Sequence, residues 1–303
     1  MKGLKSMPKP TTCERYIPGV AFERTCRHLE SGLFVWEEQV ASKREIGSYK
    51  LSNEEVIAQL KHQVASFVDH ERFLFPSAKT ERLTAWGPLR SPLLLVDTLY
   101  NKAIHFRPEW YSHLGEALAL LHSSDLKSSL LPQRNSTIVE HSRPFSKALT
   151  ETNERDICVE RYDYPPENVL IHGRFSSAMI PAMESPSLFV SYEIGLGNPL
   201  LDLSHFISEI WEFYCLNQNN RAEQEYLVDS ANGFLSGYST KKPIPAVLAN
   251  ELPVACRYRS SVHVLILSYL QRDYSIIKKH LATLDANAGF FNRIEEALNG
   301  GRS

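Results

Sequence analysis

Polar side chains follow two short apolar runs in the second half of the chain. The first run is Val169–Ile171, which is followed by His172, Gly173 and Arg174. The second run is Leu188–Val190, which is followed by Ser191. An imidazole can act as a general base, and a guanidinium binds carboxylates and phosphates bidentately. His172 could therefore move a proton, and Arg174 with Ser191 could form a basic pocket for an anion or a peptide carboxylate. We favour the interpretation of His172 as a packed and hydrogen-bonded loop histidine.

The composition disfavours several classes of partner. The chain has 303 residues, with 43% hydrophobic and 22% charged residues and a formal net charge of −2. These values are ordinary for a soluble globular protein. Because no strong net field attracts polyanions, we expect neither nucleic acid nor a membrane surface as a partner. A protein, a peptide or a small molecule is the expected ligand.

Cysteine usage and the N-terminus predict a cytoplasmic protein. The five cysteines are scattered and form no Cys-x-x-Cys pair: Cys13, Cys26, Cys158, Cys215 and Cys256. This pattern disfavours a disulfide framework, and no nearby Cys or His pair completes a metal set with Cys13 and Cys26. The basic N-terminus has no apolar stretch behind it and does not resemble a signal peptide. The longest apolar run, residues 262–270, is too short to span a membrane and predicts a buried helix.

The elements that must position the polar side chains begin with a β-rich lobe. Residues 1–18 are predicted to be a loose leader, and residues 19–101 a lobe of strands with one long helix. That helix begins after the cap Ser52, has acids in its first turn and continues to about Asp69. Strands are predicted at residues 33–36, at residues 72–75 and, after a Trp-Gly-Pro turn, at residues 92–97.

Residues 102–303 are predicted to form a larger, mainly helical lobe. Its predicted elements are a helix over 110–122, a connecting segment with one short helix over 123–156, short strands at 169–171 and 188–190, and three or four long helices from Leu203 onward, separated at Pro243, Pro245 and Pro253. This order predicts a two-lobed α+β fold rather than a doubly wound parallel sheet.

Four segments resemble, in order and spacing, the aminoglycoside phosphotransferase and choline kinase-like family. They are LGEALALLH over 114–122, similar to the family's LG..LA.LH helix; VLIHGRFSSAM over 169–179, at the position of its HGDxxxxN loop; FVSYEIGLGNPLLDL over 189–203, similar to its IDWE…GDP..DLA segment; and GFLSGY over 233–238. The match covers residues 110–270 well and residues 19–100 in outline. It implies a protein-kinase-like fold with two lobes.

The resemblance also implies that residues needed for phosphoryl transfer are missing. In the family the loop Asp is the base, and the loop Asn and the Asp of IDWE hold Mg²⁺. The matching positions here are Arg174, Met179 and Ser191. A guanidinium cannot accept a proton, and a thioether or neutral hydroxyl binds Mg²⁺ poorly. The family's phosphate-binding Lys is not evident either, because the expected end of the third strand carries Trp36, Glu37 and Glu38.

Displaced carboxylates could restore this chemistry. Asp163 and Glu167 lie ahead of the first run and could replace the base, although we favour solvated loop acids beside Pro165 and Pro166. Glu193 could hold a metal ion in place of Ser191.

The retained positions of the motifs are predicted to be structural. They are His172, Gly173, Gly197, Pro199 and Asp202. We expect Asp202 to accept hydrogen bonds from loop amides and Gly173 to allow a tight turn.

A family scaffold without the family's acids predicts a phosphotransferase-like pseudokinase, a non-catalytic binding or scaffold subunit for a peptide, protein or small ligand. The alternative is a divergent ATP-dependent phosphotransferase that acts on a small hydroxylated metabolite or on Ser/Thr of a precursor peptide. Only that alternative calls for Mg-ATP as a cofactor. Transfer of a whole nucleotide on the same scaffold is a third hypothesis.

Overall fold

The chain folds into two lobes that differ in secondary structure. The computed structural model describes residues 12–17, 22–40, 54–65, 70–79, 83–102, 104–126, 131–134, 162–271 and 275–299. Within these ranges, a small lobe is built on an antiparallel sheet and a larger lobe on helices. The predicted α+β architecture is confirmed.

Among the described residues, the small lobe contains one α-helix and most of the strands. They are β1 (Thr12–Ile17), β2 (Phe22–His28), β3 (Phe34–Val40), α1 (Glu54–Val64), β4 (Phe73–Leu74), β5 (Ala78–Lys79) and β6 (Leu83–Leu89). Five strands form an antiparallel sheet in the order β1-β2-β3-β6-β5. Helix α1 buries a stripe with helical spacing, as the sequence predicted: Val56, Ile57, Leu60 and Val64.

The register of the sheet decides which side chains face the larger lobe. Arg24 lies opposite Glu38, and Trp36 lies opposite both Cys26 and Trp86. Directly opposed residues share a face, and alternate residues of one strand also share a face. These five side chains therefore form one inner face.

Three predictions for the small lobe are wrong. The strand predicted at residues 92–97 is the start of α2 (Leu95–Asn101), where the Asp97 carboxylate accepts a hydrogen bond from the amide of Leu94 at 2.8 Å. A short apolar run does not distinguish a strand from a buried helix. The predicted Trp-Gly-Pro turn lies inside β6, and part of the predicted loose leader is β1. The predicted cap Ser52 and helix end near Asp69 lie outside the described residues.

The larger lobe is mainly helical. Its elements are α3 (Pro108–His122), β7 (Val169–Ile171), β8 (Leu188–Phe189), β9 (Gly195–Gly197), α4 (Leu200–Leu216), α5 (Arg221–Lys241), α6 (Ala246–Gln271), α7 (Ser275–Ala286) and α8 (Gly289–Asn299). The predicted α3 and the two predicted strands are confirmed. The C-terminal helices begin at Leu200 rather than Leu203, and Pro253 lies inside α6 instead of separating two helices. Among the described helices, none is long and apolar enough to cross a bilayer.

Segments of the small lobe touch the larger lobe close to the candidate residues. Strand β4 pairs with β8 in parallel, with Phe73 opposite Leu188. The indole of Trp86 stacks on Phe189 and donates a hydrogen bond to the carbonyl of Val190 at 2.9 Å. These contacts hold the segment after β8 against the inner face of the sheet.

Helices α3 and α5 approach each other so closely that glycine is required at their contact. A Cβ atom added to Gly237 would lie 1.9 Å from the carbonyl oxygen of Ser112, and one added to Gly115 would lie 2.0 Å from that of Phe234. Real Cβ atoms do not tolerate such distances to backbone atoms. The glycines in two of the four family-like segments thus set the distance between these helices.

We expect Gly237→Ala to destabilise the protein by about 1–3 kcal/mol, because the two helix backbones would have to separate. The measurement is the free energy of unfolding from urea denaturation. Gly289→Ala is the matched control: a Cβ at Gly289 meets no atom within 4 Å, so the change should stay within about 1 kcal/mol of zero. Equal effects of both substitutions would contradict the proposed contact.

Candidate functional site

The carboxylate of Asp202 holds the loop that follows β7. It accepts hydrogen bonds from the backbone amides of His172 at 2.6 Å and Gly173 at 3.0 Å. Gly173 has φ +81°, and a Cβ there would lie 2.3 Å from the carbonyl oxygen of Glu193. Both predictions for this loop, the bonds from its amides to Asp202 and the tight turn at Gly173, are confirmed.

The same carboxylate joins three helices. His122 at the end of α3 places Nε2 3.0 Å from an oxygen of Asp202 in α4, and its Nδ1 lies 2.9 Å from the hydroxyl of Tyr238 in α5. Because a carboxylate only accepts, Nε2–H donates to Asp202, and Nδ1 is hydrogen-bonded to the tyrosine hydroxyl. Burial, together with the charge of Asp202, raises the pKa of Tyr238. Sequence analysis assigned no role to His122.

His172 is a packed loop histidine in this structure. Its side chain is fully buried, with Nε2 2.7 Å from the carbonyl oxygen of Phe189 and Nδ1 accepting from the amide of Arg174 at 3.2 Å. Burial lowers the pKa of His172, so the neutral imidazole donates through Nε2–H. Both ring nitrogens are therefore engaged in holding the loop, as the favoured interpretation predicted.

Four charged side chains form an arginine–glutamate cluster between the lobes: Arg24, Glu38, Arg174 and Glu193. The Nη2 atom of Arg174 lies 2.7 and 2.9 Å from the two carboxylate oxygens of Glu38 in β3. Its Nε atom is in ion-pair contact with Glu193. Arg174 thus links a strand of the small lobe to the segment after β8.

Arg24 of β2 completes the cluster. Its Nε lies 2.6 Å from Oε2 of Glu38, and its Nη1 donates to the carbonyl of Ala178. Its Nη2 is 2.6 Å from the sulfur of Met179, which also lies 3.3 Å from Nη2 of Arg174. Both guanidinium groups therefore converge on one carboxylate and on one buried thioether.

The cluster is buried and its charges balance. The side chains of Arg24, Glu38, Arg174 and Glu193 keep exposures of only 11%, 7%, 16% and 4%. Burial alone would raise the pKa of Glu38, but the charges of Arg174 and Arg24 outweigh it and hold the pKa below its ordinary value. Two positive and two negative groups thus neutralise each other away from water, as buried charges must.

Known proteins resemble the chain in structure but not in sequence. No protein-family profile and no curated protein sequence matches it. The ADP-bound aminoglycoside phosphotransferase APH(2'')-Ib superposes with a TM-score of 0.50 at 14% identity, covering 91% of this chain and 93% of that one. The chain has the protein-kinase-like fold of the aminoglycoside phosphotransferases. A microcompartment-associated aminopropanol kinase gives a TM-score of 0.50 at 10% identity, with 92% and 91% covered. Choline kinase from Cryptosporidium parvum gives 0.48 at 10% identity, with 94% and 89% covered.

Both positions that the family resemblance assigns to Mg²⁺ are buried in this protein-kinase-like fold. Ser191 is 2% exposed, and its hydroxyl accepts from the amide of Glu193 at 3.2 Å. Met179 is fully buried beneath the two guanidinium groups. Because Arg174 is paired with two carboxylates and Ser191 with its own turn, these two residues do not form the basic pocket considered from the sequence.

The candidate displaced carboxylates do not gather at one place. Glu193 belongs to the cluster, whereas Asp163 is exposed in the loop before β7. Glu167 is half-buried, and its charge acts on Lys242 and Tyr238 at the end of α5. Their roles as base or metal ligand stay predictions.

Sequence reasoning missed three residues that shape the site. Arg24 and Glu38 lie on the inner face of the sheet, and the signal for Glu38 was its alternation with Trp36 along β3. Glu209 of α4 accepts a hydrogen bond from the amide of Ser177 at 2.6 Å, and burial raises its pKa to about 7. It also lines a cavity of about 170 Å³ between α4 and α6. No local pattern marked Arg24 or Glu209.

Asp202→Asn should destabilise the protein by on the order of 3 kcal/mol, because a neutral amide replaces a buried carboxylate that accepts three hydrogen bonds. Urea denaturation at pH 7 provides the measurement. Asp229, exposed on α5, is the control, and Asp229→Asn should change stability by less than about 0.5 kcal/mol. A loss no larger in Asp202→Asn than in the control would contradict the role of this carboxylate.

The lowered pKa of Glu38 predicts how the cluster responds to acid. A folded-state pKa below the unfolded value of about 4.3 adds stability that is complete above that value and is lost as the pH falls through the folded-state pKa. The gap in unfolding free energy between wild type and Glu38→Gln should therefore narrow from about pH 5 to pH 3. Glu37 is paired with Arg27 at 2.9 Å and is more exposed; Glu37→Gln is the control for loss of a carboxylate from the other face of the same strand. A difference in unfolding free energy between wild type and Glu38→Gln that does not depend on pH would contradict the lowered pKa of Glu38.

Proposed function

We propose that the protein is a phosphotransferase-like pseudokinase, a non-catalytic binding or scaffold subunit for a peptide, a protein or a small ligand. The observation that carries this proposal is the arginine–glutamate cluster. It occupies the junction of the lobes, where Arg174 stands at the position that the family resemblance assigns to the base.

The charges at the junction do not suit phosphoryl transfer. A base must accept a proton from the acceptor hydroxyl, and the guanidinium of Arg174 stays protonated. Mg²⁺ needs carboxylate oxygens, but Glu38 and Glu193 are each paired with a guanidinium. A divalent cation would have to displace these partners and would then lie beside two positive charges. The residues present therefore do not fit Mg-ATP.

The packing of two indoles beside the cluster supports the same conclusion. Trp36 and Trp86 lie side by side on the inner face of the sheet, and each is only 1% exposed. Trp86 is fixed by its stacking on Phe189 and its bond to Val190. A nucleotide between the lobes would have to displace these indoles as well as the ion pairs. ADP is bound in the structure of APH(2'')-Ib; for this chain we infer that the ion pairs and the two indoles exclude a nucleotide from the junction.

The direct test is the melting temperature with and without Mg-ATP. A ligand that binds the folded state raises Tm by mass action, so we expect a change smaller than about 1 °C at millimolar Mg-ATP. Phosphate release from ATP should not exceed the rate without protein. A rise in Tm that depends on Mg²⁺, together with turnover of ATP, would overturn the proposal.

Product analysis and one variant identify the reaction if turnover appears. A mass gain of one phosphate on an acceptor would establish the divergent phosphotransferase, and a gain of a whole nucleotide would establish nucleotide transfer. The double variant Asp163→Asn with Glu167→Gln removes the two carboxylates ahead of β7 while leaving the cluster unchanged. Loss of turnover in this variant would assign the chemistry to displaced acids.

A further inference from the structure

Two guanidinium groups from different lobes hold one carboxylate at the junction. Both oxygens of Glu38 lie within 2.9 Å of Arg174 Nη2, and Arg24 Nε lies 2.6 Å from Oε2. Charge-assisted hydrogen bonds from guanidinium groups are a common way for proteins to bind carboxylates and phosphates. The two arginines thus have the arrangement of an oxyanion site whose occupant belongs to the chain itself.

The charge of the surrounding groups favours such a site. With Glu38 removed from the count, Arg24 and Arg174 contribute two positive charges and Glu193 contributes one negative charge. The remaining net charge of +1 lies in a buried environment, where an uncompensated charge is strongly unfavourable. An anion is therefore required between the two arginines, and in this structure Glu38 supplies it.

We propose that Arg24 and Arg174 form an oxyanion-binding site that Glu38 occupies in the closed protein. The external ligand is a carboxylate or phosphate group, which must displace the Glu38 side chain in order to bind. This inference rests on the proposed function, because it takes the junction to be a binding site without catalysis. It adds the chemical class of the ligand and makes Glu38 an internal competitor.

The neighbouring residue Glu37 supplies a matched comparison. It precedes Glu38 on β3, points to the opposite face, and is paired with Arg27 at 2.9 Å. The Arg27 side chain is 42% exposed, so water can solvate its charge when the carboxylate is removed. Removing the Glu37 carboxylate therefore leaves no buried pair of guanidinium groups.

The test measures Tm of the wild type, Glu38→Gln and Glu37→Gln against inorganic phosphate, with NaCl keeping the ionic strength constant. Phosphate at about ten times its dissociation constant should raise Tm of Glu38→Gln by roughly 2–4 °C more than that of the other two proteins. A parallel series with acetate separates the two ligand sources: the anion with the larger gain names the preferred group. No extra gain with either anion would overturn the proposal.

A second variant ties the gain to the two arginines. Adding Arg24→Gln to Glu38→Gln removes one guanidinium, and the extra gain in Tm should disappear. A gain that persists in the double variant would place the anion elsewhere and overturn the proposal.

If Glu38→Gln does not fold, Glu38→Asp replaces it, because the shorter side chain keeps the charge but cannot reach both guanidinium groups equally well. Phosphate or acetate should then raise its Tm more than that of Glu37→Asp. Equal responses of the two Asp variants would overturn the proposal. Turnover of Mg-ATP by the wild type would refute the proposed function while leaving these comparisons unchanged, so the two ideas can fail separately.

Discussion

The buried carboxylate of Asp202 is the interaction on which the candidate site depends. It accepts hydrogen bonds from two loop amides and from the imidazole of His122. The loop after β7, helix α3 and helix α4 therefore meet at a single charged group. A charge held by three donors in a dry environment fixes geometry more strongly than neutral bonds do. Arg174 lies two residues after His172, so the hydrogen bonds between Asp202 and the loop amides determine its position.

The hydrogen bonds of Asp202 in the larger lobe therefore also determine where side chains lie at the junction of the lobes. Asp202 fixes the loop after β7, and this loop places Arg174 in contact with Glu38 and Glu193. Arg24 of the small lobe contacts Ala178 and Met179 of the larger lobe. Buried ion pairs contribute little net stability compared with an apolar replacement, but removing one partner is costly. The cluster is thus better understood as a device that fixes one arrangement of the lobes than as a source of stability.

Sequence reasoning succeeded where the signal was local. Helical spacing located α1 and α3, and the Gly-Asn-Pro-x-x-Asp-Leu pattern led to the correct role for Asp202. It failed at residues 92–97, where a short apolar run fits either a strand or a buried helix. The pairing of Arg24 with Glu38 depends on strand register, and that of Arg174 with Glu38 on how two lobes meet. Neither is encoded in any single segment, and the buried partners of Arg174 could not have been named beforehand.

The shared use of Glu38 has a consequence for how this sequence can change over evolutionary time. If Arg174 alone were replaced by an aspartate, three carboxylates would surround the single guanidinium of Arg24, and buried like charges are strongly unfavourable. Substitutions within one such network are not additive, so an acid at residue 174 becomes acceptable only after Glu38 or Glu193 has also changed. A lineage that carries these ion pairs could therefore not gain an acid at residue 174 by one substitution without passing through a poorly folded intermediate.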